Sequence, residues 1–265
     1  LTLNRPEQYN ALSEAMLESL QEHLDSIAKS EATRIVVLKG AGKAFCAGHD
    51  LKEMINTPSE KYYQTLFKKC SKMMMTLNQM PQPIVARIHG IATAAGCQLV
   101  AACDLAVASE DARFATSGIN VGLFCSTPAV PISRNIPRKQ AMELLLTGKF
   151  IDSHTALSWG LINRISPFEK LDEEVKYLTD SILAKSSEAV STGKRMFYKQ
   201  IDLNMKEAYA FASETMACNM MSKDTNNGIN EILVSTNTSE YIKNGTGMNS
   251  MNKTAKNTPT AYDLF

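Results

Sequence analysis

No uninterrupted apolar run in the 265 residues approaches the roughly twenty needed to cross a bilayer, so the sequence offers no membrane span. An excess of charge of either sign is also missing, because 28 Lys and Arg stand against 27 Asp and Glu. A nucleic-acid partner, which needs a clustered basic face, therefore finds no support. The four His have no paired spacing, which leaves no metal-ligand pattern. The six Cys (Cys46, Cys70, Cys97, Cys103, Cys125 and Cys218) lack CxxC spacing and stand in apolar or small contexts. A chain of this size does not need disulfide staples, so reduced thiols and an intracellular compartment are expected. The length suits one compact core with appendages, or one medium domain plus a small one. The opening Leu1-Thr2-Leu3-Asn4 reads as a strand already under way. A trimmed N-terminus, with any targeting segment gone, is the expectation.

What is present is organised around His89-Gly90-Ile91-Ala92-Thr93-Ala94-Ala95-Gly96-Cys97-Gln98. An apolar strand, Ile84 to Ile88, runs into Gly and a row of very small residues, which give way to a helix-forming run. Backbone N–H groups at such a helix start are uncapped and unshielded, and the aligned peptide dipoles add partial positive charge there. A second element of this kind, Ala44-Phe45-Cys46-Ala47-Gly48-His49-Asp50-Leu51, follows the strand at Ile35 to Lys39 and the turn Gly40-Ala41-Gly42. Two such turns, each offering one N–H, are the minimum equipment of an oxyanion hole.

In this order these motifs resemble the crotonase superfamily, the enoyl-CoA hydratases and isomerases. The resemblance runs from Leu1 to about Leu233. It also takes in Asn4-Arg5-Pro6…Asn10-Ala11-Leu12, Cys103-Asp104-Leu105-Ala106-Val107-Ala108 and Leu146-Thr147-Gly148 followed by Ala156 and Gly160-Leu161. It implies an α/β fold, a spiral of repeated ββα units with a C-terminal helical trimerisation region; periodicity alone would permit an ordinary parallel sheet. The domains implied are a core over 1–185, a helical region over 186–234 and, from composition, a disordered tail over 235–265. The resemblance further implies an acyl-CoA ligand, with coenzyme A part of the substrate and no separate cofactor. It implies a homotrimer or dimer of trimers, and mitochondria as the compartment in a eukaryote.

Matched by motif, the two N–H donors are those of His49 and Ala95, and Ala47, Asp50, Leu51 and Ser126 join them in binding substrate. The departures lie at the proton-transfer positions. Hydratases of the family carry one Glu directly after the Cys of the second loop and another after the next short strand, where this chain has Gln98 and Gly118. Isomerases use a Glu near the place of Ser126. Gln cannot exchange a proton at neutral pH and Gly has no side chain, so efficient hydration is not expected. Family members also place basic residues after the helix at Gly228 to Leu233, where Ser235-Thr236-Asn237-Thr238 offers none.

Other side chains bear on the missing chemistry. His49 has a suitable unperturbed pKa, though a loop hydrogen-bonding role is the commoner fate of such a residue. Asp50 reads as a helix cap. Cys125 or Ser126 could act as an acyl-transfer nucleophile, but no His stands beside them in sequence. Three readings follow: an acyl-CoA-binding protein of fatty-acid metabolism with weak or non-hydratase chemistry, an inactive acyl-CoA-binding or regulatory scaffold, and an ordinary enoyl-CoA hydratase.

The remaining pattern predicts a helix from Ser13 to about Lys29, a Met- and aromatic-rich helical stretch between Met54 and Met80 packed on the core, and strands at 104–109, 113–116 and 161–165. Helices are expected at 137–147, 153–159, 168–185, 188–200 and 206–221.

Overall fold

The structure, a computed structural model, describes residues 1–56 and 58–237. Its elements are β1 (Thr2–Leu3), α1 (Glu14–Ala28), β2 (Val36–Gly40), β3 (Ala44–Cys46), α2 (Leu51–Asn56), α3 (Glu60–Gln79), β4 (Ile84–Ile88), β5 (Ile91–Thr93) and α4 (Ala95–Ala102). There follow β6 (Leu105–Ser109), β7 (Arg113–Ala115), a 3-10 turn at Ser117–Val121, α5 (Ser126–Asn135), α6 (Arg138–Thr147), β8 (Ile151–Asp152), α7 (Ser153–Trp159) and β9 (Arg164–Ser166). Helices α8 (Leu171–Leu183), α9 (Ser187–Gln200), α10 (Met205–Met220) and α11 (Lys223–Asn237) complete the described chain.

The strands form two sheets. One is ordered β1-β2-β4-β6-β9 and is parallel throughout, and the other is ordered β3-β5-β7-β8 with only β8 antiparallel. Consecutive strands β2 and β3, β4 and β5, β6 and β7 therefore fall in different sheets, and each pair is followed by helix. That is the expected spiral of ββα turns. The corners between these strand pairs are only two or three residues long, so the chain turns from one sheet to the next without a crossover helix.

The core follows from the apolar spacing. In α1, Leu17, Leu20 and Leu24 are buried along one face, and the Ser13 hydroxyl caps the helix by accepting the N–H of Met16. In α3, Leu66, Cys70, Met73, Met74 and Leu77 are buried, so its Met stripe packs on the core. Every residue of β4 is buried, including Arg87, whose guanidinium reaches Asp172 at 2.5 Å.

Several elements differ from the sequence reading. The stretch from Met54 to Met80 is two helices, because the Ser59 hydroxyl takes the N–H of Tyr62 and starts α3 afresh. Helix α5, with Pro131 inside it, lies in a stretch to which the sequence pattern assigns no element. Strand β9 begins at Arg164 because Leu161 N–H is spent on the carbonyl of Ala156 and Asn163 N–H on that of Ala106. Helix α11 reaches Asn237, three residues into the stretch expected to be tail, and the rest of that stretch, 238–265, lies outside the described residues.

The chain divides into two compact units, residues 1–199 and from Gln200 onward. Nearly all of α9 belongs to the first, for a reason the sequence does not display. Lys194 Nζ donates to the carbonyls of Leu77 (2.6 Å) and Gln82 (2.8 Å) and to Asp104 Oδ2 (2.6 Å), using all three of its donors. Asp104 Oδ2 also accepts the N–H of Ile84 at 2.6 Å. Burial draws the Lys194 pKa below the usual lysine value, and Asp104 pulls in the other direction. In the second unit, α10 and α11 pack on each other.

Candidate active site

Strand β3 leads into the first loop, Ala47 to Asp50, which lies along the segment Tyr9 to Leu12. Leu12 N–H donates to Gly48 O at 2.7 Å, and Asp50 N–H donates to Leu12 O at 3.3 Å. A trans peptide is planar, with its C=O and N–H on opposite sides. Because the Gly48 carbonyl is held by Leu12, the N–H of His49 in the same peptide is aimed away from that segment.

The second loop follows β5. Ala94 precedes α4 with no side chain able to cap it, and its carbonyl accepts the N–H of Gln98 at 3.0 Å. By the same planarity, the N–H of Ala95 points out of the N-terminus of α4, where the dipole favours negative charge. Among the described residues no hydrogen bond uses the amide of His49 or that of Ala95.

Gly48 brings the loops together. A Cβ built on it would stand 2.9 Å from the Cβ of Ala94 and 3.2 Å from the nitrogen of Ala95, and its φ of +94° is one that side chains resist. Ala94 holds φ 50° and ψ −120°, a backbone region comfortable only for Gly. Non-Gly residues kept in such regions cluster at functional sites. The strain here lies one peptide from the Ala95 amide.

Gln98 lies one turn into α4. It is 3% exposed, and its Oε1 is buried without a hydrogen-bond partner. Gly118 is in the 3-10 turn after β7, fastened to the second loop by Ala94 N–H to Ala115 O at 3.0 Å and by the Thr93 and Ser117 hydroxyls at 2.8 Å. The segments carrying His49, Ala95, Gln98 and Gly118 thus adjoin through these contacts.

The other expected residues are placed differently. Asp50 is turned to structure: its Oδ2 accepts from Arg5 at 3.0 Å and its Oδ1 from the N–H groups of Lys52 (3.1 Å) and Glu53 (3.4 Å), capping α2. Burial pushes its carboxyl upward, but these bonds outweigh that and hold it below the usual carboxylate range. Leu51 is exposed on α2, and Ala47 gives its N–H to Tyr9 O at 3.0 Å. Ser126 is exposed at the start of α5.

The proton-transfer alternatives lose ground. Both ring nitrogens of His49 are buried without partners and its ring meets Phe67 edge-on at 5.4 Å. Burial pulls its pKa down to about 4, so the imidazole is neutral and weakly basic at neutral pH. Burial raises the Cys125 thiol above its ordinary value and pushes Cys97 up to about 12, which suits packing rather than nucleophilic attack. No group of His, Cys, Asp and Glu able to hold a metal occurs among the described residues. A surface cleft of about 170 Å³ beside Arg34, Gln82 and Ser187 includes no residue of either loop.

Arg5 and Asn10 stand in the sequence only as part of a motif; the bond of Arg5 to Asp50, and those of Asn10 to the carbonyls of Ala41 and Ala44 just ahead of the first loop, emerge only in three dimensions. The Asn4-Arg5-Pro6…Asn10 spacing was the available signal.

Comparison with known proteins agrees with this fold. The family model described as enoyl-CoA hydratase/isomerase matches residues 1–233. The mitochondrial enoyl-CoA hydratase domain-containing protein 3 of Rattus norvegicus is 45% identical over 229 residues, which cover 86% of this chain and 76% of that protein. The crystal structure of its human counterpart superimposes with a TM-score of 0.85 at 42% identity, covering 88% of this chain and 92% of that one. An enoyl-CoA hydratase structure from Mycobacterium smegmatis gives a TM-score of 0.88 at 54% identity over 88% of this chain and 91% of that one. Two sheets wound from ββα turns, two free amides at adjoining strand-to-helix corners and a match over nearly the whole described chain place this protein in the enoyl-CoA hydratase/isomerase family.

Proposed function

We propose that the protein binds an acyl-CoA thioester with its carbonyl oxygen between the amides of His49 and Ala95, and that its chemistry is weak or other than hydration. The observation that carries this reading is the pair of unused N–H groups beside positions 98 and 118, neither of which bears a carboxylate. Donors aimed at an oxygen that gains charge stabilise an enolate. A missing general acid or base typically removes on the order of 10²–10⁴ in rate. Enolate-dependent isomerisation, decarboxylation and thioester hydrolysis would all use the amides, and of these decarboxylation, which forms the enolate by releasing CO2 rather than by losing a proton, makes the smallest demand on an acid or base. Coenzyme A enters as part of the substrate, with no further cofactor. Relatives named as mitochondrial support that compartment, and a place in lipid metabolism follows from the ligand class. The exposed Met205, Tyr209, Met216 and Met221 of the second unit support a homotrimer or dimer of trimers, in which such side chains would be covered.

A panel of enoyl-, malonyl-type and hydroxyacyl-CoA esters tests the reading. Turnover of one of them faster than crotonyl-CoA hydration is the expected result. Binding with no turnover of any ester removes the enzymatic part and leaves the second reading, an inactive acyl-CoA-binding or regulatory scaffold. The crowding at Gly118, where a Cβ would stand 2.6 Å from the carbonyl oxygen of Leu123, favours that alternative over ordinary hydration. Rapid hydration of crotonyl-CoA by the natural chain would establish the third reading, a hydratase, and sink the proposal.

A further inference from the structure

The peptide bearing the His49 amide is gripped from one side by a short segment. Asn10, in the middle of that segment, is fully buried, and its side chain spends three hydrogen bonds tying the segment to itself and to residues 41 and 44 ahead of the loop. Its Oδ1 accepts the N–H of Arg5 at 2.9 Å, and its Nδ2 donates to the carbonyls of Ala41 and Ala44, both at 2.8 Å. Arg5 extends the grip: Nη1 donates to Ala11 O at 2.9 Å and Nη2 to Asp50 Oδ2 at 3.0 Å. Tyr9 O and both main-chain groups of Leu12 take Ala47, Gly48 and Asp50. Residues on each side of His49 are therefore tied to residues 5–12, and its own N–H is left out.

Two consecutive residues, Tyr9 and Asn10, hold φ of 51° and 56°. Left-handed backbone is uncommon outside Gly, and Asn tolerates it best. The conformation turns the Asn10 side chain inward onto the strand that ends at the loop. A Cβ on Gly40 would stand 2.9 Å from Asn10 Nδ2, so the amide is packed as well as bonded.

We propose that Asn10, seconded by Arg5, is a positioning residue that fixes the direction of the His49 N–H. This rests on the reading of His49 and Ala95 as donors to an acyl carbonyl. An amide that donates well loses strength steeply as its angle falls away. A rotation of the 47–50 peptides would therefore weaken polarisation of the carbonyl while leaving the rest of the ligand's contacts in place.

The test uses 4-dimethylaminocinnamoyl-CoA, whose absorption moves to longer wavelength when its carbonyl is polarised. The natural chain should bind it with a red shift. Asn10→Ala should lose at least about half of that shift while Kd rises about fivefold or less, the effect of one misdirected hydrogen bond. Leu24→Ala, a core truncation in α1 that costs stability without touching the loop, should keep the full shift. Should Asn10→Ala not fold, Arg5→Lys is read in the same way; it leaves Asn10 in place, loses the bond to Ala11 O and should give a partial loss. A full shift in the Asn10 or Arg5 variant overturns the inference, as does an equal loss in Leu24→Ala, which would make the shift a measure of stability alone. A natural chain that binds the probe with no shift overturns the carbonyl-donor reading instead, and this outcome is visible before any variant is made.

Discussion

A Cβ placed on Gly118 would stand 2.6 Å from the carbonyl oxygen of Leu123 and 2.9 Å from the Sγ of Cys125. The Leu123 N–H in turn donates to Gly118 O at 3.0 Å, so the two residues close a turn with no space for a side chain between them. Any side chain at position 118 would therefore meet main chain, so the turn itself holds this position to glycine.

Restoring carboxylates should for that reason be asymmetric. Gln98→Glu is isosteric and should fold, whereas Gly118→Glu must move the 122–125 turn and should cost about 1–3 kcal/mol or more in overpacking. Crotonyl-CoA hydration should rise in Gln98→Glu, and the double variant should not exceed it. Disappearance of the enoyl absorbance gives the rates, and urea unfolding gives the stabilities. A double variant far more active than Gln98→Glu would show that the turn yields readily.

Ala94 pays a conformational cost at φ 50°. Ala94→Gly relieves strain of about 1–3 kcal/mol and gives back about 0.4–1 kcal/mol through the freer unfolded chain. A net gain of about 1 kcal/mol is expected in the stability read from urea unfolding, and a variant less stable than the natural chain would refute the assignment of strain.

The His49 imidazole should make the fold sensitive to mild acid. Its folded pKa of about 4 lies below the ordinary 6.5, so the unfolded chain takes up a proton that the folded chain refuses. Its stabilising share is complete above about pH 6.5 and is lost as pH falls toward 4, by roughly 2–3 kcal/mol. Comparing urea unfolding of the natural chain and His49→Leu from pH 7 to 4 reads this directly. The variant should show a shallower loss, and parallel curves would contradict the burial of the ring nitrogens.

Lys194 and Asp104 should behave as a unit. Lys194→Met leaves a carboxylate without its cation in a largely buried place, at a cost of about 3–5 kcal/mol. Adding Asp104→Asn should recover part of the loss, a coupling visible in a double-mutant cycle. Simple additivity of the two losses would argue against the pair.

Some of this was legible without coordinates because it is local. The Ser13 cap, the Leu17-Leu20-Leu24 face, the end of α6 at Gly148 and the run of small residues at Ala92–Gly96 each depend on neighbours within a turn or two. The two strand-to-helix corners could be named as amide donors for the same reason. Helix α5 is less local: Pro131 inside it works against helix, and the burial of Pro128 and Ile132 outweighs that.

The order of small residues in this chain determined by itself where backbone amides are bared. Tertiary structure decided which of them stand together, since Gly48 meets Ala95 only after strands far apart in sequence are wound into two sheets. It also decided that Asn10 holds the carbonyls of Ala41 and Ala44 ahead of the loop, that Lys194 is sealed against Asp104 and that Leu123 fills the place beside Gly118. Each of these is a contact across many residues, and its strength comes from burial, which no stretch of sequence specifies alone.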